Sequence, residues 1–441
     1  MFFWLFYSDT VKGMDVLMLL FIISGLLYLF VIQLFNFGWI SLKPHDPATI
    51  PDFLKGSEKY DASYAEAGLQ DRFFSDADIH SQCFSDSADH STLISNTGKE
   101  SSEVFVTVIC AVRNESENIS NILNDLVNQN YPTNLLEIII VDDHSDDNTY
   151  QVTEEWEKKY GMVSLLSNQG EGKKEAIQHG VRHARGELIL FTDGDCRTGK
   201  NWIRAFVSHY LNHHASVMAG PVILTADKNT TNLQEVFYGL QALEFASLIA
   251  SGAGSMGIGR PVMMNGANMG VSRKAMTAVT DLKADRSPSG DDMFLLQSIK
   301  RQRSHKIHFI KTREALVNTK PAFTLKQFLS QRIRWTSKGR LYRDPDIIIT
   351  GAVVLFFNMV LVGILIAAIF QPVSLFYYII GLLFKFTVDF PLLYFYSDFY
   401  DMKANLKYLP ILIPFYPLYV VMVFLLGSII PFSWKGRRYP G

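Results

Sequence analysis

The chain has 441 residues, a net charge of −2 and 48% hydrophobic residues, with no uniformly basic patch, so nothing points to a nucleic-acid partner. Its three cysteines, Cys83, Cys110 and Cys196, have no paired spacing, which excludes a disulfide framework or a cysteine-based zinc module. The hydrophobic excess is concentrated at the two ends, which excludes an evenly built soluble globule.

Val16–Phe35 is a run of twenty residues whose only strongly polar member is Gln33. About 20 apolar residues cross a bilayer core, so a membrane helix is expected over 14–36. A secretory signal would have a shorter apolar core with basic residues before it and small residues at a cleavage site. Here the run ends in Leu34, Phe35 and Phe37, which reads as a retained anchor. Residues 41–103 carry twelve acidic residues against five Lys or Arg, with Pro44, Pro47 and Pro51 and weak periodicity. This reads as a mostly disordered linker with a short helix at most.

From Val104 the pattern alternates. Strands are expected at Val104–Val112, Leu136–Val141, Met162–Leu166 and Leu188–Phe191, and helices at Glu117–Asn128, Asn148–Tyr160 and Lys173–Ala184. Strands alternating with helices imply a mostly parallel α/β sheet, whose ligands bind at the carboxyl ends of the strands. Three of those ends carry acidic groups: Arg113-Asn114-Glu115, then Asp142-Asp143-His144-Ser145-Asp146-Asp147, then Asp193-Gly194-Asp195. Clustered carboxylates call for a cation, and Mg²⁺ or Mn²⁺ suits oxygen ligands that share a substrate phosphate. An Asp-x-Asp alone is weak, because turns use Asp for local hydrogen bonds. A phosphoacceptor receiver domain is the rival for Asp142-Asp143. It requires the pair on the first strand and an Asp ending the third, whereas here the third strand ends in Ser167-Asn168.

Taken together, residues 104 to about 340 resemble the family-2 glycosyltransferases, in their membrane-bound branch of polysaccharide synthases and lipid glycosyltransferases. Val106-Thr107-Val108 through Glu115 is similar to the opening strand and nucleotide loop, with Ala111 where Pro is usual. Val141 to Ser145 with Asp147 and Thr149 resembles the uracil-binding turn. Gly172-Lys173 with Ala176 resembles a Gly-Lys-x-x-Ala helix start, and Asp193-Gly194-Asp195 the metal-binding Asp-x-Asp. Asp291-Asp292-Met293-Phe294-Leu295 looks like the catalytic Glu-Asp-x-x-Leu, with Asp291 in place of Glu, and Gln331-Arg332-Ile333-Arg334-Trp335 is a Gln-x-x-Arg-Trp.

The resemblance implies a GT-A-like, Rossmann-like α/β domain over 104–320, inserted between transmembrane helices. It implies an inverting, metal-dependent enzyme using a nucleotide-diphospho-sugar, a UDP-sugar above all, and a lipid-linked or polysaccharide acceptor. Arg113, Glu115, Asp142, Asp143, Lys173, Asp193, Gln331 and Arg334 would bind the donor. Asp193 and Asp195 would hold Mg²⁺ or Mn²⁺. Asp292 would be the general base, and Trp335 would stack on the acceptor. Each role has a bland counterpart: a helix-start lysine for Lys173, lipid-headgroup binding for Arg334, an N-cap for Asp292 and an interfacial anchor for Trp335. A processive polysaccharide synthase and a catalytically inactive membrane scaffold are the alternatives. The intact Asp193, Asp195, Asp292 and Arg334 count against the scaffold.

Further along, Gly252–Gly259 reads as a Gly-rich loop after a helix Asn232–Ser251, either closing over substrate or serving as a plain flexible connector, and Asn265 to Gly270 resembles the family's acceptor-side loop. Residues 321–343 mix Phe323, Leu325, Phe328, Leu329, Ile333 and Trp335 with Lys326, Arg332, Arg334, Lys338, Arg340 and Arg343. This reads as an amphipathic helix in the membrane interface, in contact with membrane lipids. Ile347–Phe370, Val373–Phe395 and Leu409–Ile430 are further spans, and three such lengths count against soluble core helices. The middle one holds Lys385 and Asp389, an i,i+4 pair read either as self-neutralising, with Lys385 snorkelling, or as lining the acceptor's path.

Nucleotide sugars are cytosolic, so the catalytic domain is expected at the cytoplasmic face, with a bacterial inner membrane as the setting. One span before it and three after would then place Lys435, Arg437 and Arg438 outside, against the positive-inside tendency. Either the last segment, with Pro410, Pro414 and Pro417, is broken or re-entrant, or these charges are tolerated.

Overall fold

The computed structural model describes residues 2–45, 103–226, 230–279, 291–302, 306–429, 432–434 and 437–439. Residues 46–102 of the expected linker, with its short helix, lie outside the described residues, as does Lys435.

Helix α1 runs Phe2–Ser41 and precedes an α/β body. Its strands are β1 Val106–Val112, β2 Leu136–Asp142, β3 Val163–Ser167, β4 Leu188–Thr192, β5 Arg197–Thr198, β6 Val217–Ala219, β7 Val222–Leu224, β8 Asn268–Ser272, β9 Ile307–Phe309 and β10 Val317–Thr319. Its helices are α2 Ile119–Val127, α3 Thr149–Lys159, α4 Lys173–His183, α5 Trp202–His213, α6 Asn232–Gly257, α7 Arg273–Ala278, α8 Asp291–Arg301 and α9 Leu325–Thr336. Three long helices follow toward the C-terminus: α10 Pro345–Phe370, α11 Val373–Phe399 and α12 Leu409–Ile429.

The main sheet has seven strands in the order β3-β2-β1-β4-β8-β6-β9. β1, β2 and β4 are buried runs rich in Val, Ile and Leu, as a sheet covered on both faces requires. In α2, Ile119, Ile122, Leu123 and Leu126 form the buried stripe expected at helical spacing. β3, β2, β1 and β4 are mutually parallel, so Val112, Asp142, Ser167 and Thr192 end on one edge. β8 runs antiparallel to β4, pairing Asn268 with Thr192, so the loop that enters β8 arrives at that same edge. β5, β10 and β7 form a second, three-stranded sheet.

Gly252 to Gly257 belongs to α6 and is not the flexible loop expected from its glycines. The glycines serve a close helix crossing. A Cβ on Gly254 would lie 2.2 Å from Phe35 O of α1, and one on Gly38 would lie 1.9 Å from Gly254 O. Only glycine lets the two backbones approach this far.

Five helices among the described residues are long and apolar enough to cross a membrane: Val16–Ser41, Asn232–Gly257, Pro345–Phe370, Val373–Phe399 and Lys403–Ile429. Asn232–Gly257 stands apart, because 67% of its most apolar window is buried inside the protein against 22–28% for the others. The last helix is continuous from Leu409 through Pro414 and Pro417, so its prolines do not break it. Lys385 does not snorkel, since it is 1% exposed. Its Nζ donates to Asp389 Oδ2 and to Tyr28 OH, both at 2.6 Å, and Tyr28 OH donates to Asp389 Oδ1 at 2.7 Å. The pair neutralises itself, and α1 supplies the third member.

Candidate active site

The edge is assembled from backbone outward. After β1, Arg113 donates through Nη1 to Asp143 O (2.6 Å) and His144 O (2.5 Å), and through Nη2 to Asp146 Oδ2 (2.9 Å). It thereby clamps the turn after β2. The loops after β1 and β2 are cross-tied: Asn114 N donates to Ser145 Oγ, Glu115 N to Thr149 Oγ1 and Ser116 N to Asp147 Oδ2. Burial works to raise the Asp147 carboxyl, but hydrogen bonds from Thr149 and Ser116 outweigh it and hold the group at about 2.

Asp142 and Asp143 have different roles. Asp143 is buried, and its Oδ1 accepts from Asn168 Nδ2 (2.8 Å) and Gly172 N (2.9 Å). It fixes the turn into α4, where Gly172 takes φ 94°, a conformation that favours glycine. Asp142 spends Oδ2 on Ser145 N (3.1 Å), while its Oδ1 is buried with no hydrogen-bond partner. Such an orphan acceptor is costly unless a ligand N–H or a water meets it.

Asp193-Gly194-Asp195 forms the turn after β4. Lys173 pairs with Asp193. Glu115 stands against the turn, since a Cβ on Gly194 would lie 3.1 Å from Glu115 Cγ and 2.9 Å from Val112 Cγ1. Cys110 and Cys196 are buried beneath it. Burial, then the negative charge of the nearby aspartates, pushes both thiols up, so neither offers a thiolate.

Asp292 lies in the first turn of α8, where its Oδ1 accepts from Met293 N (2.8 Å) and its Oδ2 from Gly266 N (3.0 Å). The Asn265–Ala267 turn therefore fixes Asp292 at the sheet edge. At the end of that turn the Asn268 side chain is structural. It accepts from Trp202 Nε1 and donates to Pro221 O and Ala315 O. α8 is braced against the start of α10 by Lys300, which reaches Asp344 (2.7 Å) and Asp346 (3.0 Å). No sequence pattern signals this brace.

α9 brings the last group. Arg334 is half-buried, and its guanidinium makes no hydrogen bond or ion pair among the described residues. Burial holds its guanidinium below its ordinary value, while the charges of Asp193 and Asp292 work the other way. These three groups therefore share one electrostatic neighbourhood. Gln331 Oε1 accepts from Arg332 Nη1 at 2.6 Å, and one face of Trp335 lies 4.3 Å from the Arg332 guanidinium. Arg332 and Lys338 are buried and do not face outward as an interfacial helix would place them. Arg332 is forked on Glu244 of α6, which also accepts from Tyr419 OH of α12 at 2.8 Å. In the sequence, Glu244 is legible only as a carboxylate within an apolar helix, and such a group needs a partner.

The profile of glycosyl transferase family 2 matches residues 107–262, and that of glycosyl transferase family group 2 matches residues 188–428, more than half of the sequence. The chain belongs to this family. Glycosyltransferase AglE of Haloferax volcanii is 31% identical over 122 residues, which cover 27% of this chain and 40% of that protein. A dolichyl-phosphate beta-glucosyltransferase of Trichomonas vaginalis, ALG5C, is 37% identical over 105 residues, covering 22% of this chain and 31% of that protein. The chain thus matches less than half the length of these relatives. Among solved structures, the mannosyltransferase PcManGT from Pyrobaculum calidifontis, in complex with GDP-Man and Mn²⁺, aligns with a TM-score of 0.46 at 17% identity. That alignment covers 70% of this chain and 87% of that one.

Proposed function

We propose that this family member transfers a sugar, with inversion, from a nucleotide-diphospho-sugar to a lipid-linked or polysaccharide acceptor at a membrane. The observation that carries the reading is Arg334, a half-buried cation with no ion-pair partner among the described residues, in the field of Asp193 and Asp292 at the carboxyl edge. A guanidinium held this way matches a diphosphate, which it can grip with two parallel hydrogen bonds. The orphan Oδ1 of Asp142 supports a base with an N–H in its pairing edge, as the uracil of a UDP-sugar has. Relatives whose names specify dolichyl-phosphate and poly(ribitol-phosphate) support the acceptor class.

The donor set at the edge fits Mg²⁺ or Mn²⁺. Asp193 and Asp195 offer oxygen ligands on one turn with Glu115 beside it, and a small hard cation is commonly held by one or two carboxylates together with substrate phosphates. When bound, such an ion neutralises charge on the departing diphosphate. Asp292 accepts the proton of the acceptor hydroxyl, oriented by the Met293 and Gly266 amides, each of which leaves its oxygen a further lone pair. Arg334 stabilises the leaving group from the other side, Lys173 balances Asp193, and Arg113 and Asp143 hold the two loops that frame the nucleotide. Trp335 keeps one face for an acceptor sugar, and Gln331 tethers Arg332 beside it. The 325–341 segment opens the site toward the bilayer, with the domain on the cytoplasmic side of a bacterial inner membrane.

The test is donor hydrolysis and transfer by the purified protein across a panel of nucleotide sugars, with and without chelator. Turnover of a UDP-sugar that needs divalent metal is expected. Absence of both binding and turnover with every nucleotide sugar would overturn the reading.

A further inference from the structure

Away from the carboxylate edge, four imidazoles meet where α1 joins the α/β body. His209 and His213 are four apart on α5 and so share one face. His308 comes from β9, and His45 follows the end of α1. His45 is held in place by its backbone N–H, which donates to Lys311 O at 2.8 Å. The Lys311 ammonium in turn caps the helix, donating to Trp39 O (3.0 Å) and Leu42 O (3.1 Å). We infer that His45, His209 and His213 bind a transition-metal ion of the zinc class, at a site distinct from the Asp193–Asp195 turn.

One ring nitrogen from each of the three lies within 4.8 Å of the others. A second observation is independent of this clustering. His209 is 6% exposed, and its Nδ1 is buried with no hydrogen-bond partner. Its Nε2 lies 3.2 Å from His308 Nδ1. If Nε2 carries the proton, it donates to His308 and leaves Nδ1 as a bare lone pair in the interior. If Nδ1 carries the proton, a buried N–H is orphaned. Both states are costly in isolation, and the first is the form of a metal-bound histidine, whose second nitrogen donates to an outer partner. His45 Nε2 lies 3.0 Å from the buried Ser208 Oγ, which orients the ring beside His209.

An all-imidazole donor set selects Zn²⁺, Cu²⁺, Ni²⁺ or Co²⁺ and is poorly suited to Mg²⁺ or Mn²⁺. His213 is exposed, which gives the ion an entry path and leaves room for water as a further ligand. Because His45 closely follows the first apolar helix, a bound ion staples that helix to α5, independently of sugar transfer.

The test uses tag-free full-length protein and Zn²⁺ competition with a chromophoric chelator, run on the native chain, Asp195→Asn, His209→Gln and His213→Gln. One tight zinc per chain is expected in the native protein and in Asp195→Asn. Affinity should fall by about tenfold or more in His213→Gln and in His209→Gln, since even outer partners are worth that much. Added zinc should raise the thermal midpoint of the native chain and leave that of His213→Gln unchanged. The exposed His213→Gln variant should fold and retain transfer activity. Equal zinc affinity in His213→Gln and the native chain, or binding lost entirely in Asp195→Asn, would overturn the site.

Discussion

Arg332 and Arg334 lie two residues apart on α9 and have opposite surroundings. Arg332 faces α6 and α12, where Glu244 outweighs the effect of burial and holds its guanidinium above its ordinary value. Arg334 faces the sheet edge, where burial prevails and the guanidinium is held below it. Successive helical residues are about 100° apart, so a spacing of two sends the side chains to nearly opposite sides. One helix thus separates a layer in which Arg332 is closed on Glu244 from an edge at which Arg334 has no ion-pair partner among the described residues. The bundle follows the first rule again in Lys385, Asp389 and Tyr28. Asp195, Asp292 and Arg334 at the edge should therefore govern turnover with little effect on stability, and the paired charges in the helix layer the reverse.

The sharpest challenge to that division is Asp195→Asn. Transfer should fall below detection while the variant inserts and unfolds at the native temperature. Full activity in the variant, or native activity undiminished by chelator, removes the metal from the edge. Next is Asp292→Asn, in which donor binding should persist while turnover drops by about 10²–10⁴, the range of general base catalysis. Titration with donor and single-turnover transfer measure the two separately. An active Asp292→Asn beside a dead Asp291→Asn would move the base by one residue.

The helix layer should respond in stability. Arg332→Leu or Glu244→Leu alone leaves a buried charge without its partner, at a cost of about 3–5 kcal/mol. The double replacement should recover most of that loss in thermal unfolding. A double variant as unstable as either single one would show that packing of α9, and not the ion pair, is what matters. The smallest effect is expected for Lys385→Leu with Asp389→Leu. Because Tyr28 and the pair satisfy one another, transfer should be unchanged and the midpoint equal or raised. Reduced transfer with intact donor hydrolysis would instead put this face on the acceptor's path.

Much of the edge is legible in the sequence because parallel strands end together. Once Val106–Val112, Leu136–Asp142 and Leu188–Thr192 are read as buried strands, topology alone places Arg113, Asp142 and Asp193 side by side. Asp292 and Arg334 come from motif resemblance, and no local pattern says that they face Asp193. A flexible loop at 252–259 is the wrong reading because glycine weakens a helix in isolation, whereas here the α1 backbone fills the space that side chains would take. The amphipathic interfacial helix expected over 321–343 does not hold at Arg332, which is buried because its partner Glu244, 88 residues away, comes to meet it.

Local periodicity, and spacing within one element, are enough to read the elements, the long apolar segments, the Lys385–Asp389 pair and the acidic strand ends from the chain alone. Which charge meets which is settled by packing. It pairs Arg332 with Glu244 and leaves Arg334 facing the edge. It turns a glycine run into a helix crossing and gathers His45, His209, His213 and His308 from three separate parts of the chain. A buried polar group must be satisfied by whatever comes within about 3 Å, and the folded chain brings together residues that lie far apart along it.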